Sequence, residues 1–177
     1  MARLSAPFTS PATDNGVRVL IQRVTSARVE WEGGTAGPIG KGLLCLVGFG
    51  EGDAEGLIAP MVDKLVNLRI FEDAGGRMNR SLLELNGDLM LVPQFTLYAD
   101  CRKGRRPGFS AALAAGRAKE FFTRFEESCG DFTGQDFTGR VFSGSFGVSM
   151  QVHLVNDGPV TIMLDSQPLN PASTTRM

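Results

Sequence analysis

The sequence is poor in the side chains on which most hydrolytic active sites depend. It has one histidine, His153, and three cysteines, Cys45, Cys101 and Cys129, which lie far apart and form no CxxC pair. An odd set of scattered cysteines argues against a disulfide framework or a thiolate zinc site and is typical of a reducing, cytoplasmic location. Because His153 lies in an alternating, strand-like run, we interpret it as a structural residue rather than the base of a Ser-His-Asp triad.

The chain also lacks a charge imbalance and a long apolar run. Its net charge is −1, so a polyanion would have to be bound by a local basic patch rather than by the molecule as a whole. No apolar stretch approaches the roughly 20 residues of a membrane span. Residues 1–16 lack the apolar segment of a secretion signal, and their composition predicts a disordered N-terminal extension; residues 167–177 are predicted to form a flexible tail.

The intervening residues, 17–166, predict one domain of the α+β class, with a mainly antiparallel sheet or barrel and two packed helices. Hairpins rather than βαβ units dominate the pattern. Residues 72–79 are predicted to be a loop, and Asn86-Gly87 is predicted to be the turn of a hairpin. The predicted strands are 17–24 with its hairpin partner 27–31, then 43–49, 82–85, 89–98, 140–142, 148–155 and 160–164.

Two segments have the apolar spacing of amphipathic helices. In the first, Leu57, Met61 and Leu65 recur at intervals of four, Asp53 is a candidate cap, and Pro60 predicts a late start or a bent first turn. The second is predicted over 111–128 and is stopped by Gly130. Its candidate core residues are Leu113, Phe121, Phe122 and Phe125.

The segment VPQFTLYAD, residues 92–100, places three polar side chains at alternate positions. In a strand, Gln94, Thr96 and Tyr98 would share one face. A solvent-facing side of a sheet gives the same pattern, so the row alone does not define a site. Pro93 has no N–H for a ladder and predicts an edge or a strand start.

The segment RKGRRPGF, residues 102–109, is the densest positive feature of the chain. Its cations are candidates for contacts with the phosphates of a nucleic acid, and Phe109 is a candidate for stacking on a base. A solvated charged loop is the alternative interpretation. The candidate nucleic-acid-binding residues are Arg102, Lys103, Arg105 and Arg106.

The Gly158-Pro159 pair interrupts two apolar runs near the end of the domain. On its own it predicts only a turn. Considered together with other segments, however, it forms part of a longer pattern that extends over about 150 residues. The segments, in order, are VLIQRV, GKGLLCLVG, NLRIFED, MNRSL, QFTLYADCRKGRRPGF, FGVSMQVHLVNDGPVT and LDS. Because it has these segments in this order, the chain resembles the D-aminoacyl-tRNA deacylases of the widespread bacterial and eukaryotic type.

The resemblance implies a homodimer that hydrolyses the ester of D-aminoacyl-tRNA, and of glycyl-tRNA(Ala), without a metal or organic cofactor, as a proofreading step in translation. It implies a compact, barrel-like sheet with packed helices. It also implies an active site at the subunit interface, where Gly158 and Pro159, joined by a cis peptide bond, are inserted from the partner. The pocket residues that it implies are Gln94, Phe95, Thr96, Phe109 and Met150, with Arg23 holding the Gly-Pro segment.

The resemblance also implies that the ribose 2′-hydroxyl of the substrate assists the attacking water. Backbone N–H groups near Phe95 and Thr96 would then stabilise the oxyanion. Thr96 is a candidate nucleophile, but it has no evident base, so we favour a positioning role. A rigid Gly-Pro backbone would exclude L-residues and accept D-residues, whereas glycine has no side chain to exclude.

One residue departs from the family pattern, in which Ser usually precedes the Gln of SQFTL. Here the residue is Pro93, and a related animal branch with PQ at this place acts on L-alanine mischarged to tRNA(Thr). Phe95, Arg23 and NDGPVT favour the D-specific branch. Two alternatives remain. Because of Pro93, the chain could be an L-aminoacyl-tRNA editing deacylase on the same scaffold. Because of the basic loop, it could be a non-catalytic nucleic-acid-binding dimer that uses residues 102–106.

Overall fold

A computed structural model of the chain describes residues 16–134 and 137–166. The predicted extension 1–16, apart from Gly16, and the predicted tail 167–177 lie outside these ranges. The strands are β1 (Arg18–Trp31), β2 (Gly34–Ile39), β3 (Gly42–Gly48), β4 (Phe71–Glu72), β5 (Met78–Arg80), β6 (Asp88–Pro93), β7 (Val141–Ser143) and β8 (Met150–Asp165). The helices are α1 (Ile58–Asn67), α2 (Leu82–Leu85) and α3 (Ala115–Thr133).

Strand β1 organises the six-stranded sheet, whose order is β2-β1-β3-β6-β7 with β8 also paired to β1. The β8 strand runs antiparallel to β1 along its whole length, and β3 and then β2 pair antiparallel with it as well. The β3–β6 and β6–β7 pairs are parallel. The predicted α+β class with a mainly antiparallel sheet is therefore confirmed.

The core lies between the sheet and the two long helices. The apolar stripe of α1 is buried as its spacing predicts, and Phe49, which directly follows β3, contacts the rings of Phe121 and Phe125 on α3 edge to face. A second, smaller apolar cluster includes Val29, Leu44 and Met90. All four of the predicted core residues of the second helical segment are buried: Leu113, Phe121, Phe122 and Phe125. No helix in the described ranges is long and apolar enough to cross a membrane.

Two predicted strand breaks are wrong. Residues 17–24 and 27–31 do not form a hairpin, because β1 continues through both segments while β3 and β2 pair with it in succession. The segment between them contains neither Gly nor Pro to turn the chain. Likewise, 150–155 and 160–164 belong to the single strand β8, which pairs with β1 on both sides of Gly158-Pro159; residues 148 and 149 of the predicted strand precede it.

The predicted hairpin at Asn86-Gly87 is also wrong, because residues 82–85 form the helix α2. Ser81 and Glu84 make a capping box at its start. Asn86 has φ 50° and ends the helix in the left-handed conformation. Asn-Gly supplies a residue that tolerates positive φ, which suits a helix C-terminus as well as a hairpin turn.

The remaining differences concern where elements end. Helix α1 begins at Ile58, after a 3-10 turn over Glu55–Leu57, which is the late start that Pro60 predicts. Asp53 caps no helix; its carboxylate accepts the Gly50 N–H at 2.8 Å. Helix α3 begins at 115 rather than 111 and passes the predicted stop at Gly130, ending at Gly134, where φ is 63°. The predicted loop 72–79 overlaps the short hairpin β4–β5, and the predicted strand 140–142 is β7, over 141–143.

Candidate functional site

The segment that carries the predicted pocket residues is not a strand throughout. Strand β6 ends at Pro93, and Phe95–Tyr98 forms one turn of 3-10 helix. The predicted alternation of Gln94, Thr96 and Tyr98 on one face is therefore wrong, as is the expectation that Pro93 marks an edge or a strand start. The turn needs Gly48, because a Cβ there would lie 2.7 Å from the Gln94 carbonyl oxygen.

A cavity of about 680 Å³ opens beside this turn, between the ends of β3 and β6 and the start of α3. The structure brings four predicted residues to its wall: Gln94, Phe95, Phe109 and Met150. Among the described residues that line it, Gln94 has the only polar side chain, and none of them carries a titratable group. Lining residues that the sequence analysis did not identify include Ala112, Ala115, Phe146 and Val148.

Two aromatic rings stand together at this cavity. The centroids of Phe95 and Phe109 are 5.1 Å apart with an interplanar angle of 68°, an edge-to-face contact. Phe95 is nevertheless 55% exposed and Phe109 37% exposed. Large, exposed aromatic faces beside an apolar cavity suit the binding of a planar ring such as a nucleobase.

Thr96 lies outside the cavity lining, and its hydroxyl oxygen accepts a hydrogen bond from the Gln94 side-chain amide. The N–H groups of Phe95 and Thr96 belong to the first turn of the 3-10 helix, where a helix supplies no acceptor of its own. Neither N–H has a hydrogen-bond acceptor among residues 16–134 and 137–166. These amides are therefore available as donors at the edge of the cavity.

The Gly158-Pro159 pair lies in a distortion of β8. Residues 157–160 stand opposite Arg23 of β1, between the pairs Gln22–Thr161 and Val24–Asn156. We call residues 157–160 the bulge. Gly158 and Pro159 are exposed, and their peptide bond is cis, as is that of Gly37-Pro38 in β2. Neither residue of the 158–159 pair lines the cavity of its own chain.

Arg23, on β1 opposite the bulge, binds it through hydrogen bonds. Its side chain is 4% exposed, its Nε donates to the Asp157 carbonyl at 2.9 Å, and its Nη1 donates to the Ile70 carbonyl at 2.6 Å. The Asp157 carboxylate lies 3.3 Å from the same Nε. Asp157 and Asn156 also shape the bulge, but in the sequence they look like ordinary turn residues beside Gly-Pro.

The basic loop projects from the pocket side of the molecule, and every residue from 101 to 110 is exposed. Backbone hydrogen bonds between Asp100 and Gly108 close its base. Arg102 forms a two-point ion pair with the Asp100 carboxylate, at 2.8 and 2.7 Å, and holds the pKa of that carboxyl well below its usual range. The loop also carries the exposed cations Lys103, Arg105 and Arg106.

Behind the 3-10 turn lies a buried polar cluster that the sequence analysis did not identify. The Tyr98 hydroxyl donates to the Gly16 carbonyl, and Arg18 donates to the Leu97 carbonyl at 3.0 Å and to Asp165 at 3.1 Å. Asp53 is buried beside them, and burial raises its pKa to about 6. Burial also raises the pKa of the Tyr98 phenol.

We expect Asp53→Asn to stabilise the protein at neutral pH. With a pKa of about 6 instead of 3.8, the folded state binds the Asp53 proton more tightly than the unfolded state, so this group's contribution to stability falls as pH rises through that window. Asn keeps an acceptor for Gly50 without the buried charge. At pH 7 we expect Tm to rise by about 2–4 °C for each kcal/mol that the substitution adds to the free energy of unfolding. This rise should vanish at about pH 4. Thermal unfolding across this range checks it; identical pH dependence in both proteins would contradict the assignment.

The chain is similar in sequence to known tRNA deacylases. The family model described as D-Tyr-tRNA(Tyr) deacylase matches residues 20–165. A D-aminoacyl-tRNA deacylase from Thermosipho africanus is 49% identical over 151 residues, which cover 85% of this chain and 98% of that protein. One from Clostridium kluyveri is 46% identical over 153 residues, which cover 86% of this chain and 99% of that protein.

Two solved structures share the fold. The c-Myc DNA Unwinding Element Binding Protein has a TM-score of 0.76 and 36% identity, and the match covers 83% of this chain and 97% of that one. A probable eukaryotic D-amino acid tRNA deacylase has a TM-score of 0.74 at 21% identity, covering 85% and 99% of the two chains. With the family model matching residues 20–165 and relatives at 46–49% identity, the chain belongs to the D-Tyr-tRNA(Tyr) deacylase family.

Proposed function

We propose that the protein hydrolyses the ester bond between a D-amino acid and the 3′-terminal adenosine of tRNA, releasing the free D-amino acid and the tRNA. Family membership supports this activity. The observation that carries the mechanism is the cavity: among the described residues that line it, no side chain is an acid, a base or a charged nucleophile. An aminoacyl ester is already activated, so a site that positions water and stabilises developing charge suffices.

In the proposed reaction, water attacks the ester carbonyl carbon and the bond to the ribose 3′-oxygen breaks. The substrate's 2′-hydroxyl assists the proton transfer from water to the leaving oxygen. The amides of Phe95 and Thr96 donate to the oxyanion, and Gln94 fixes Thr96 through its side-chain amide. Phe95, Phe109 and Met150 pack against the terminal adenosine, a role that their apolar surface at the cavity supports.

Chirality is selected by backbone rather than by side chains. The bulge of the partner subunit presents Gly158 and Pro159 to the amino group and α-carbon of the substrate. A D-residue directs its side chain to solvent, whereas an L-residue directs it into the bulge. Glycine has no side chain to exclude, so glycyl-tRNA(Ala) is also a substrate.

The dimer that this arrangement requires is supported by the exposure of β8. Only Val160 of this 16-residue strand is buried in the single chain, and β1 is its only partner strand in the described residues. Val152, Val155 and Met163 expose 38%, 57% and 49% of their surface. A long strand with apolar side chains and an unpaired edge is a ready surface for a second copy.

The basic loop provides the contact with the tRNA backbone in this proposal. Lys103, Arg105 and Arg106 are exposed on it, and Arg102 fixes its base through Asp100. A chain of net charge −1 thus presents its densest positive charge at one loop. Ionic contacts of this kind make binding weaken with salt.

Deacylation of D-Tyr-tRNA, Gly-tRNA and L-Ala-tRNA by the purified protein tests the proposal. We expect hydrolysis of the D-ester and the glycyl ester, with the L-ester spared. Loss of the L-ester with the D-ester spared would instead establish the L-editing alternative, which Pro93 in the cavity wall favours. Salt-sensitive binding of tRNA without turnover would establish a non-catalytic binding dimer, the alternative favoured by the 36% identity to a DNA-element-binding protein.

A further inference from the structure

We infer that Asn156 is a positioning residue for chiral selection, because its side-chain carboxamide closes the bulge and thereby fixes how Gly158 and Pro159 are presented. This inference rests on the proposed function, in which the bulge borders the substrate. Asn156 is the first residue of the NDGPVT segment, but the sequence pattern assigns it no role of its own. Its hydrogen bonds assign one.

The bulge cannot be held by the sheet alone. Between the pairs Gln22–Thr161 and Val24–Asn156, β8 contributes the four residues 157–160 and β1 contributes only Arg23. Three residues of β8 therefore have no counterpart on β1 and leave the regular ladder. In an ordinary antiparallel pair, each residue would be fixed by backbone bonds across the ladder. Here side chains must supply that restraint.

Asn156 takes the place of the missing ladder at one end of the bulge. Its Oδ1 accepts the Val160 N–H at 2.7 Å, and its Nδ2 donates to the Val160 carbonyl at 3.1 Å. One carboxamide thus binds both backbone groups of the same residue, as a neighbouring strand would. Its second Nδ2 hydrogen is shared between Gln22 Oε1 at 2.9 Å and Thr161 Oγ1 at 3.3 Å, and the contact with Gln22 ties the bulge to β1.

Arg23 and Asn156 anchor opposite ends of the bulge. Arg23 binds the carbonyl of Asp157, at the beginning of the bulge, and Asn156 binds Val160, at its end. Gly158 and Pro159 lie between these two anchored residues, and no side chain in the described ranges forms a hydrogen bond with either of them. Their orientation is therefore set by the anchors, and loss of either anchor should loosen it.

The chemistry requires an amide at position 156. An ionised Asp would still accept the Val160 N–H, but it would face the oxygens of Val160 and Gln22 with no hydrogen to donate. Protonation of the carboxyl would return one donor. An Asn156→Asp protein should therefore recover function as pH falls, whereas Asn156→Ala should not.

The experiment compares kcat/KM for D-Tyr-tRNA and L-Tyr-tRNA in the full-length protein. For Asn156→Ala we expect the D-to-L ratio to fall about tenfold, the size expected when a buried backbone pair loses its hydrogen bonds, with thermal unfolding still cooperative. Asn156→Asp should show a similar loss at about pH 8 and partial recovery at about pH 5, closer to the ordinary aspartate pKa of about 3.9.

The matched control is Asn67→Ala. Asn67 is an exposed asparagine on α1 whose side chain, within the described part of the chain, bonds only to Asp63, so its removal should leave the ratio unchanged. A wild-type ratio in Asn156→Ala would overturn the inference while leaving the proposed function intact. A pH-independent loss in Asn156→Asp would also overturn it. A wild-type protein that does not hydrolyse D-Tyr-tRNA would refute the proposed function, and this inference with it.

Discussion

Gly158→Ala is expected to lower kcat/KM for D-Tyr-tRNA by on the order of a hundredfold and to leave the protein folded. Gly158 has φ 142°, a conformation that L side chains rarely adopt, and an added Cβ would lie 2.7 Å from Val160 Cγ2 and 2.8 Å from Val160 N. Backbone strain of this kind is worth about 1–3 kcal/mol. The bulge must shift to relieve it, and about 1.36 kcal/mol of lost transition-state stabilisation lowers the rate tenfold.

The control for backbone strain is Gly76→Ala. Gly76 has φ 74° at the turn between β4 and β5, and nothing lies within 4 Å of a Cβ built there. This variant should lose some stability but keep the wild-type kcat/KM. Steady-state deacylation and thermal unfolding of both variants separate the two effects. Wild-type activity in a folded Gly158→Ala protein would remove the bulge from the mechanism.

The sequence predicts well those parts of the fold that depend on periodicity. Gly-flanked residues 43–49 predict a buried strand, and β3 is buried almost throughout. The spacing of Met61 and Leu65 predicts the buried face of α1. These patterns are local and repeat several times, so one interpretation fits them much better than the others.

Isolated turn signals are less informative, because their outcome depends on distant contacts. Asn86-Gly87 suits either a hairpin or a helix end, and the capping box of α2 decides between them. The QFTLY segment has the alternation of a strand, yet Tyr98 turns inward to reach Gly16, 82 positions away along the chain. Packing of this kind overrides local pattern and is not visible in a window of ten residues.

Some features of the candidate site could likewise be identified from the sequence, and others could not. Resemblance identified Gln94, Phe95, Phe109 and Met150, which the fold brings to one cavity. It could not supply the hydrogen bonds of Asn156, because they depend on a register shift between strands 134 positions apart in sequence. Nor could it supply the absence of titratable groups from the described cavity wall, since that depends on which side chains converge there.

Two inactive variants should restore each other's activity when they are combined in one dimer. The first is Gly158→Ala, which disables the bulge. The second is Ala115→Trp, which fills the cavity: Ala115 lines it, is exposed, and is the first residue of α3, so a larger side chain should be tolerated by the fold. If the bulge of one subunit serves the cavity of the other, a mixed dimer has one site with both defects and one site with neither.

Co-expression with two different tags and sequential purification isolates the mixed dimer, which should have about half of the wild-type activity per dimer because one of its two symmetry-related sites is intact. Dimers that carry Gly158→Ala in both subunits, purified through the same two tags, are the control and should remain inactive. If each bulge instead served the cavity of its own chain, every site in the mixed dimer would carry one defect and no activity would return. A protein that remains monomeric at assay concentrations would contradict the shared site in the same experiment, because the two tags would never purify together.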